Sequence, residues 1–186
     1  MAESEKTPVL QMRNKRKSYM NVLQPAAKGY ALMGEGFTQL SESKGPKEYT
    51  RKYVHMQSEV SDVIGYAPSL SYSCDVCSGD PVVDDIVYIT DNELVGSDTH
   101  REIVTYNEFE GTETARPAYQ RKYAVVPDAA ADGTEALIYT GTFKAVSDKV
   151  KGTWDEKKKE FTAETTVNTT TESSETIPSD QSDGTE

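Results

Sequence analysis

The chain has 186 residues, a formal net charge of −11, a hydrophobic share of 35% and two cysteines. This acidic balance lacks the basic excess that a dedicated nucleic-acid-binding surface shows, and two cysteines are too few for a disulfide framework. No apolar run reaches the roughly 18 residues of a membrane-spanning helix. The first residues form no apolar signal segment, so we expect synthesis in the cytoplasm.

Composition divides the chain into three parts. Residues 1-10 are polar and are predicted to form an N-terminal arm, and residues 11-163 carry the strand patterns of one β domain. Residues 164-186 are rich in Thr, Ser and Glu, with six acidic residues and no Lys or Arg. Such a segment buries too little apolar surface to offset its ordering entropy, which predicts a disordered acidic tail. We expect it to lie outside an assembly or to keep free subunits apart by charge repulsion.

Four basic residues cluster just after the arm: Arg13, Lys15, Arg16 and Lys17. Such a run indicates either an electrostatic contact with a partner or a solvated segment. The partner would be DNA or an acidic protein, and the acidic balance of the whole chain favours a protein.

The segment after this cluster is predicted to contain one strand and one loop. Tyr30 to Leu40 has the strand pattern, and Gly34 and Gly36 within it indicate a bulge or a close backbone approach. These glycines belong to neither of the glycine-rich phosphate-binding motifs. Residues 41–47 are predicted to form a loop broken by Gly45-Pro46.

Residues 47–75 are predicted to form one long β-hairpin that turns near residues 58–61. The second limb divides at the two-residue strand repeat into an apolar and a small, hydroxylated face. The apolar face comprises Ile64, Tyr66, Leu70, Tyr72 and Cys74, and the small face comprises Gly65, Ala67, Ser69, Ser71 and Ser73. In the first limb, Tyr49, Arg51 and Tyr53 alternate with Thr50 and Lys52. A long hairpin with one apolar face and one solvent-exposed polar face is expected to pair with other copies of the chain.

One helix is predicted to follow this hairpin. Asp80 suits the N-cap, Pro81 the first helical position, and Asp84 and Asp85 the positive end of the helix dipole. An apolar stripe would lie against a sheet; it comprises Val82, Val83, Ile86, Val87 and Ile89.

Strand patterns resume after the helix. Strands are predicted over Arg101 to Phe109 and Tyr119 to Val126, and a loop is predicted over Pro127 to Thr134. The next strand has Leu137, Tyr139, Phe143 and Ala145 on one face. A last hairpin is predicted with Trp154 on one limb and Phe161 on the other. This order predicts a mainly β (α+β) fold, an antiparallel β-sandwich or barrel-like domain with one flanking helix.

The pair Cys74 and Cys77 is the one motif that suggests chemistry. A redox CxxC needs its first thiolate at a helix N-terminus, whereas Cys74 ends a predicted strand. A zinc site would need His55 and His100, which lie 45 residues apart. Two ordinary thiols are therefore favoured, and we expect no metal, no cofactor and no catalytic residue. Neither a Ser-His-Asp set nor a carboxylate pair is singled out by its spacing.

Several blocks of the sequence together resemble a known family. They are LMGEGFTQLSESKGPKEYTRKYV at residues 32–54, SDVIGYAPSLSYSCD, PVVDDIVYITD, RKYAVVPD and ALIYTGTFKAV. In this order they resemble the tail tube (major tail) proteins of long-tailed bacteriophages, particularly those that infect Gram-positive bacteria. The resemblance covers roughly residues 10–163 and lies in the order of the blocks, since no single motif is diagnostic.

The resemblance implies a β-sandwich-like domain with one helix and a long hairpin. Subunits of this family form hexameric rings, close their hairpins into a continuous β-barrel, and stack into a tube through which DNA leaves the capsid. The resemblance also implies that the protein is located in the virion tail and is not inserted into a membrane. The expected partners are further copies of the chain and the tail tip, tape measure and tail terminator proteins. DNA is expected to pass through the assembly without specific binding.

The resemblance also suggests which residues mediate assembly. The expected assembly hairpin uses Tyr49, Arg51, Tyr53, Val63, Gly65, Ala67, Ser69, Ser71 and Ser73. The expected inter-ring loop and arm use Arg13, Lys15, Arg16, Lys17, Ser41, Glu42 and Lys44. The main alternative is a monomeric β-sandwich that binds carbohydrate or protein on a virion or cell surface; a small zinc-dependent domain and an enzyme rank below it.

Overall fold

The computed structural model describes residues 9–24, 28–132 and 135–164, and of residues 131 and 132 the backbone alone. Strands account for 54% of this part of the chain, and one helix accompanies them, so the mainly β prediction is confirmed. The predicted acidic tail beyond Glu164 and most of the predicted arm, residues 1–8, lie outside the described residues.

Eleven strands are seen in the described residues. They are β1 (Arg16–Val22), β2 (Gly29–Leu32), β3 (Phe37–Ser43), β4 (Pro46–Arg51), β5 (Val60–Tyr66), β6 (Ser69–Asp75), β7 (His100–Asn107), β8 (Arg116–Asp132), β9 (Ile138–Ala145), β10 (Val150–Asp155) and β11 (Glu160–Ala163). The helix α1 spans Pro81–Asp91, and short 3-10 turns cover Arg13–Lys15 and Gly96–Thr99.

Nine of these strands form one antiparallel sheet; seven follow the order β2-β1-β7-β8-β9-β6-β3, and β10 and β11 lie off this path. Strand β8 is 17 residues long. Along the edge of β8 that faces away from β7, the start of β8 pairs with β10 and the end of β8 pairs with β9. Strand β11 extends the sheet beyond β10. Two register shifts in the β8–β9 pairing mark bulges, and bulges bend a strand and increase its twist. The sheet accordingly curls into a half-barrel.

Helix α1 covers one face of this sheet, as predicted. Asp80 caps it, because its Oδ1 accepts hydrogen bonds from the Val82 and Val83 amides at 2.8 and 3.3 Å. The stripe Val82, Val83, Ile86 and Ile89 is at most 1% exposed. It packs against strand residues that include Met20, Ile103, Val125 and Phe143. This main core lies between the helix and the sheet.

A second, smaller core lies on the opposite face of the sheet. Trp154 is fully buried there, with its ring centroid 4.9 Å from that of Tyr19 and 5.2 Å from that of Tyr30. Trp154 pairs with Phe161 across β10 and β11, so the last predicted hairpin is confirmed.

The predicted single hairpin over residues 47–75 is wrong in its extent. Strands β4 and β5 pair with each other as a separate two-stranded sheet, whereas β6 lies within the main sheet between β3 and β9. Pro68 stands at the break, and a proline has no amide hydrogen to continue a strand ladder. Ile64 and Tyr66, expected on the apolar face, are 66% and 65% exposed. Leu70, Tyr72 and Cys74 are buried as predicted.

Three other segments differ from their predictions, because the chain turns tightly or because strands pair over long distances in the sequence. The strand expected over Tyr30 to Leu40 is two strands joined by a turn, in which Gly36 has φ +79°. The loop expected over residues 41–47 shrinks to Lys44 and Gly45, since β3 runs to Ser43 and β4 starts at Pro46. The loop expected over Pro127 to Thr134 is strand as far as Asp132 because it pairs with β9.

Candidate assembly surfaces

The hairpin formed by β4 and β5, residues 46–66 with their connecting turn, projects from the main sheet. Its strand positions are exposed in the subunit apart from Gly65, which is half-buried. A two-stranded hairpin is marginally stable in water without further packing. The hairpin therefore presents two strand edges and two faces that the rest of its own subunit does not cover.

One face of the hairpin is aromatic and cationic. The Arg51 guanidinium lies 4.3 Å from the centroid of the Tyr49 ring and 5.5 Å from that of Tyr53. The Tyr53 ring in turn stacks on His55 at a centroid distance of 6.0 Å. Cation–π contacts of this kind stabilise exposed sites by about 0.5–1 kcal/mol each. They favour this arrangement of the face in the free subunit.

The other face of the hairpin is hydroxylated. Thr50 Oγ1 donates a hydrogen bond to Ser61 Oγ at 3.1 Å, and Ser61 Oγ donates to Glu48 Oε2 at 3.2 Å. Thr50 and Ser61 are direct partners in the β4–β5 register, so this chain of bonds crosses the ribbon. Polar groups arranged in this way are suited to contact with water.

Large apolar side chains remain exposed on the same hairpin. Val54, Val63, Ile64 and Tyr66 are 107%, 54%, 66% and 65% exposed. Together they expose more large apolar side chains than an isolated ribbon can cover by itself, and exposed apolar surface of this kind is found at sites of protein interaction. The unpaired strand edges beside it would also recruit another chain unless something covers them.

A hydroxyl face extends from the hairpin across the main sheet. It crosses β3, β6 and β9, and consists of Gln39, Ser41, Ser43, Ser69, Ser71, Ser73, Thr140, Thr142 and Lys144. The register places these residues in rows, with Ser71 between Ser41 and Thr142. The residues of β6 on this face are half-buried, whereas Leu70, Tyr72 and Cys74 between them point into the core. The face is small and carries one charge, that of Lys144.

The structure places the predicted assembly residues on two neighbouring surfaces. Tyr49, Arg51, Tyr53, Val63 and Gly65 lie on the hairpin, and Ser69, Ser71 and Ser73 lie on the hydroxyl face. Ala67 stands at the junction, where its amide donates to the Gly45 carbonyl at 2.8 Å. The predicted assembly residues are therefore close in sequence but lie on two different surfaces, the hairpin and the hydroxyl face.

The predicted basic cluster is tied to its own subunit. Lys15 lies 3.1 Å from Glu108, and Lys17 lies 3.4 Å from Glu108 and 3.1 Å from Glu156. Arg16 binds the Glu42 carboxylate at 2.7 Å. These contacts fasten the start of β1 to β3 and to the turns after β7 and β10.

Arg13, Glu42 and Lys44 lie together around one cavity, which Ser41 borders although its side chain belongs to the hydroxyl face. Arg13 donates to the carbonyls of Leu40 at 3.1 Å and Arg16 at 2.9 Å, and Lys44 forms an ion pair with Glu42. The structure thus brings the predicted loop and the basic cluster to one place, although they are some 30 residues apart in the chain.

Two adjoining cavities of about 340 and 380 Å³ open at this place. Their charged lining comprises Arg13, Arg16, Lys44, Arg121, Lys149 and Glu42, and we call them together the basic cavity. The Lys149 ammonium lies 3.4 Å from the centroid of the Tyr119 ring. Arg121 and Lys149 were not singled out from the sequence, because they reach the cavity from β8 and from the turn before β10.

The electrostatic environment of this region shifts several pKa values. Burial opposes ionisation of Glu42, but the hydrogen bonds and charges of Lys44 and Arg16 outweigh it and lower the pKa of the carboxyl. Burial lowers the pKa of the Lys149 ammonium, and the nearby charge of Lys44 lowers it further. The cavity therefore holds cations that repel one another around a single carboxylate.

The ion pairs at the start of β1 act similarly. Burial disfavours the charged Lys17, but Glu156 and Glu108 outweigh this and raise the pKa of its ammonium. The hydrogen bond from Lys15 lowers the pKa of Glu108. Burial opposes ionisation of Glu156, but Lys17 and other donors outweigh it and lower its pKa.

The two cysteines have different surroundings. Cys74 is buried, and this burial, with the charges of Asp75 and Asp80, raises the pKa of its thiol to about 11. Cys77 is exposed and free. His55 lies in the turn of the hairpin and His100 at the start of β7, on separate elements. Within residues 9–24, 28–132 and 135–164, no cluster of three His, Cys, Asp or Glu side chains is arranged to hold a metal ion.

A buried ion pair was missed by the sequence analysis. Asp85, expected only to complement the positive end of the helix dipole, is 0% exposed and binds Arg101 of β7. Its position beside the buried Ile86 was the available signal, since a carboxylate that shares the apolar side of a helix needs a cationic partner. Asp84, one position earlier, lies at the exposed helix start as predicted.

In the part of the chain that the structure describes, no helix is both long and apolar enough to cross a membrane. No family model matches the sequence, and no curated protein matches it. Among solved structures, the chain is similar to one from the cryo-EM structure of the anti-feeding prophage (AFP) baseplate, 6-fold symmetrised. The two are 12% identical, the match covers 78% of this chain and 96% of that chain, and the TM-score is 0.45. A similarity of this size assigns neither a family nor a function.

Proposed function

We propose that the protein is a non-catalytic structural subunit of a phage virion, a tail tube protein whose copies form stacked rings. The observation that carries this proposal is the projecting hairpin of β4 and β5. It exposes apolar side chains and both strand edges in the subunit, next to a sheet face of small hydroxylated residues. These features support assembly through strands shared between copies, in agreement with the sequence resemblance.

The hairpin would gain most of its packing from sister subunits. When neighbouring copies pair with its edges, the unpaired backbone groups acquire partners and the strand edges disappear. Val63, Ile64 and Tyr66 would then pack against the adjacent subunit instead of water. Burying apolar surface contributes roughly 25 cal/mol per Å², so the exposed side chains provide a driving force for association.

The hydroxyl face would line the bore of the tube. Its Ser and Thr side chains form hydrogen bonds with water and, apart from Lys144, carry no positive charge that would bind phosphate groups. DNA could therefore pass such a wall without specific binding. In this arrangement Leu70, Tyr72 and Cys74 remain in the subunit core, so one strand serves both bore and core.

The side of the subunit that carries the basic cavity would face the next ring. Arg13, Glu42 and Lys44 meet there, and the neighbouring Val9, Leu10 and Met12 are exposed. Tail tip, tape measure and terminator proteins would be the further partners, and the site of action would be the virion tail.

Electron microscopy of the purified full chain tests this proposal. We expect negative-stain images of concentrated protein to show rings or tubes with a central bore. The double variant Val63→Lys/Ile64→Lys places two charges on the hairpin and should remain a folded monomer. The matched control Tyr88→Lys/Val95→Lys charges two exposed apolar positions outside the hairpin and should assemble like the unmodified chain.

Sedimentation velocity across a concentration series complements the images. A single species of one subunit at every concentration would contradict the proposal and favour a monomeric binding module. Equal assembly of the two charged variants would also contradict it, because the hairpin would then play no part.

A further inference from the structure

The basic cavity has a charge opposite to that of the protein. Arg13, Arg16, Lys44, Arg121 and Lys149 surround Glu42 in a chain whose net charge is −11. Of these cations, Arg16 and Lys44 both bind Glu42. Lys149 contacts a tyrosine ring rather than a carboxylate. The cavity therefore has more positive charge than its own carboxylate neutralises.

A buried donor in this cavity lacks an acceptor. Arg121 Nε is buried and has no hydrogen-bond partner within the described residues. Leaving a buried charged donor unsatisfied is unfavourable, because it has lost its water without gaining an acceptor. An anionic group in the cavity would supply one.

The chain itself carries an acidic segment after Glu164, the last residue that the structure describes. Residues 165–186 contain no Lys or Arg and carry the acids Glu172, Glu175, Asp180, Asp183 and Glu186. Their number matches the five cations of the cavity. Carboxylates suit arginine well, since guanidinium groups bind them with two parallel hydrogen bonds.

The end of β11 lies near a residue of the cavity lining. Ala163 is opposite Gly152 in the antiparallel β10–β11 register, and the Glu164 amide donates to the Lys151 carbonyl at 2.9 Å. Two residues before Lys151 along β10 is Lys149, which lines the cavity. The described chain thus ends beside Lys151, two residues from Lys149. Residues 165–186 follow it, and each can span at most about 3.3–3.6 Å, so the segment can reach the cavity lining.

We propose that the acidic segment 165–186 docks in the basic cavity of its own subunit. The cavity residues Arg13, Glu42 and Lys44 are also those that we place at the interface between rings. A docked segment would cover this surface in the free subunit and would have to leave before the next ring could bind. This consequence for assembly rests on the proposed function, whereas the docking itself does not.

Zero-length carbodiimide cross-linking of the full chain tests the docking. The reagent joins lysine ammonium groups to carboxylates in direct contact, and only the monomer fraction of dilute protein is analysed by mass spectrometry. We expect links from the acids of 165–186 to Lys44 and Lys149 about fivefold more often than to the exposed Lys52 and Lys158. Free encounter is screened beyond about 10 Å at 0.1 M salt, so a docked pair stands out. Equal linkage to all four lysines would overturn the proposal, as would links found in dimers alone.

Lysine acetylation provides a second readout with full-chain variants. The neutral-tail variant carries Glu172→Gln, Glu175→Gln, Asp180→Asn and Asp183→Asn. Its matched control neutralises four exposed acids elsewhere, with Glu35→Gln, Glu59→Gln, Glu93→Gln and Glu135→Gln. We expect Lys149 to be acetylated several-fold faster in the neutral-tail variant than in the control or the unmodified chain. Unchanged acetylation would contradict the docking.

The other occupants of the cavity are distinguished in the same assay. If inorganic phosphate or a short double-stranded oligonucleotide protects Lys149 in the unmodified chain as well as in the neutral-tail variant, the cavity is a general anion or nucleic-acid site and the proposal is wrong. If cross-linking shows docking but no rings form in electron microscopy, the docking stands and the tube function falls. Faster stacking of rings into tubes by the neutral-tail variant would support both.

Discussion

Asp85 of helix α1 and Arg101 of β7 form a two-pronged ion pair closed off from solvent. Arg101 Nε donates to Asp85 Oδ2 at 2.5 Å and Nη2 to Oδ1 at 2.9 Å, and the two side chains are 4% and 0% exposed. The remaining Nη1 donates to the carbonyls of Asp98 and His100. This pair therefore fixes the helix to the centre of the sheet.

Loss of one partner of this pair should destabilise the subunit strongly. Asp85→Ala leaves a buried guanidinium without its counter-charge, and such changes cost about 3–5 kcal/mol. Urea unfolding followed by circular dichroism measures this cost. Asp84→Ala, on the exposed side of the same helix turn, is the control and should change stability by less than about 0.5 kcal/mol. If the two substitutions lowered the free energy of unfolding by similar amounts, the buried ion pair would contribute no more to stability than an exposed side chain.

Gly141 of β9 should not tolerate a side chain. A Cβ at this position would lie 2.5 Å from Tyr72 Oη and 2.6 Å from the Val126 carbonyl oxygen. Gly141→Ala should therefore lower the free energy of unfolding by about 1–3 kcal/mol, the usual cost of overpacking. Gly65→Ala on the hairpin is the control, since no atom lies within 4 Å of its added Cβ. Equal unfolding midpoints for the two variants would contradict this packing.

The two cysteines should react at very different rates. The thiolate is the reactive form, and the pKa of Cys74 is raised to about 11 by burial and by Asp75 and Asp80. We expect iodoacetamide at pH 8 to modify Cys77 in the folded protein and Cys74 only after unfolding in urea. Peptide mass spectrometry reports each site. Rapid modification of Cys74 in the folded chain would show that β6 does not bury it.

The protein should become less stable against unfolding at acid pH because three carboxylates are then protonated. In the folded protein the pKa values of Glu42, Glu108 and Glu156 are lowered. The ionised carboxylates therefore stabilise the folded state at pH values above their pKa in the unfolded chain, about 4.3. This stabilisation is lost as the pH falls through their pKa values in the folded protein. The pKa of Lys17 is raised, so its contribution is present below its unfolded value and is lost at high pH. Thermal unfolding between pH 3 and pH 8 measures the acid limb, and Glu156→Gln should flatten it. An unchanged acid limb in Glu156→Gln would contradict this account.

Local signals in the sequence predict much of the fold. The helix follows from Asp80-Pro81 and its apolar stripe, because capping and periodicity are properties of neighbouring residues. The two-residue repeat likewise predicts the burial of Leu70, Tyr72 and Cys74. These elements agree with the structure because their own residues determine them.

The remaining features depend on contacts between distant residues. The alternation of Ile64 and Tyr66 continues smoothly into Leu70, and nothing local shows that the chain changes sheets at Pro68. Pro127 suggests a loop, but pairing with β9 keeps it within strand β8. Arg101 reaches Asp85 across 16 residues.

The candidate surfaces show the same division. The hairpin and the hydroxyl face could be recognised from side-chain types at strand period. The basic cavity could not, since Arg121 and Lys149 meet Arg13 through the curl of the sheet. Three-dimensional closure of the half-barrel creates the cavity, and no spacing in the sequence encodes it.

Hydrogen exchange of the hairpin amides, residues 46–66, in free and assembled protein tests the central claim most directly. A two-stranded ribbon opens readily, so these amides should exchange fast in dilute subunits. In sedimented rings or tubes, pairing with sister strands should slow them to the rates of the β7 and β8 amides. Assemblies in which the hairpin amides still exchange as fast as in the free subunit would contradict the account, because the hairpin would then not hold the copies together.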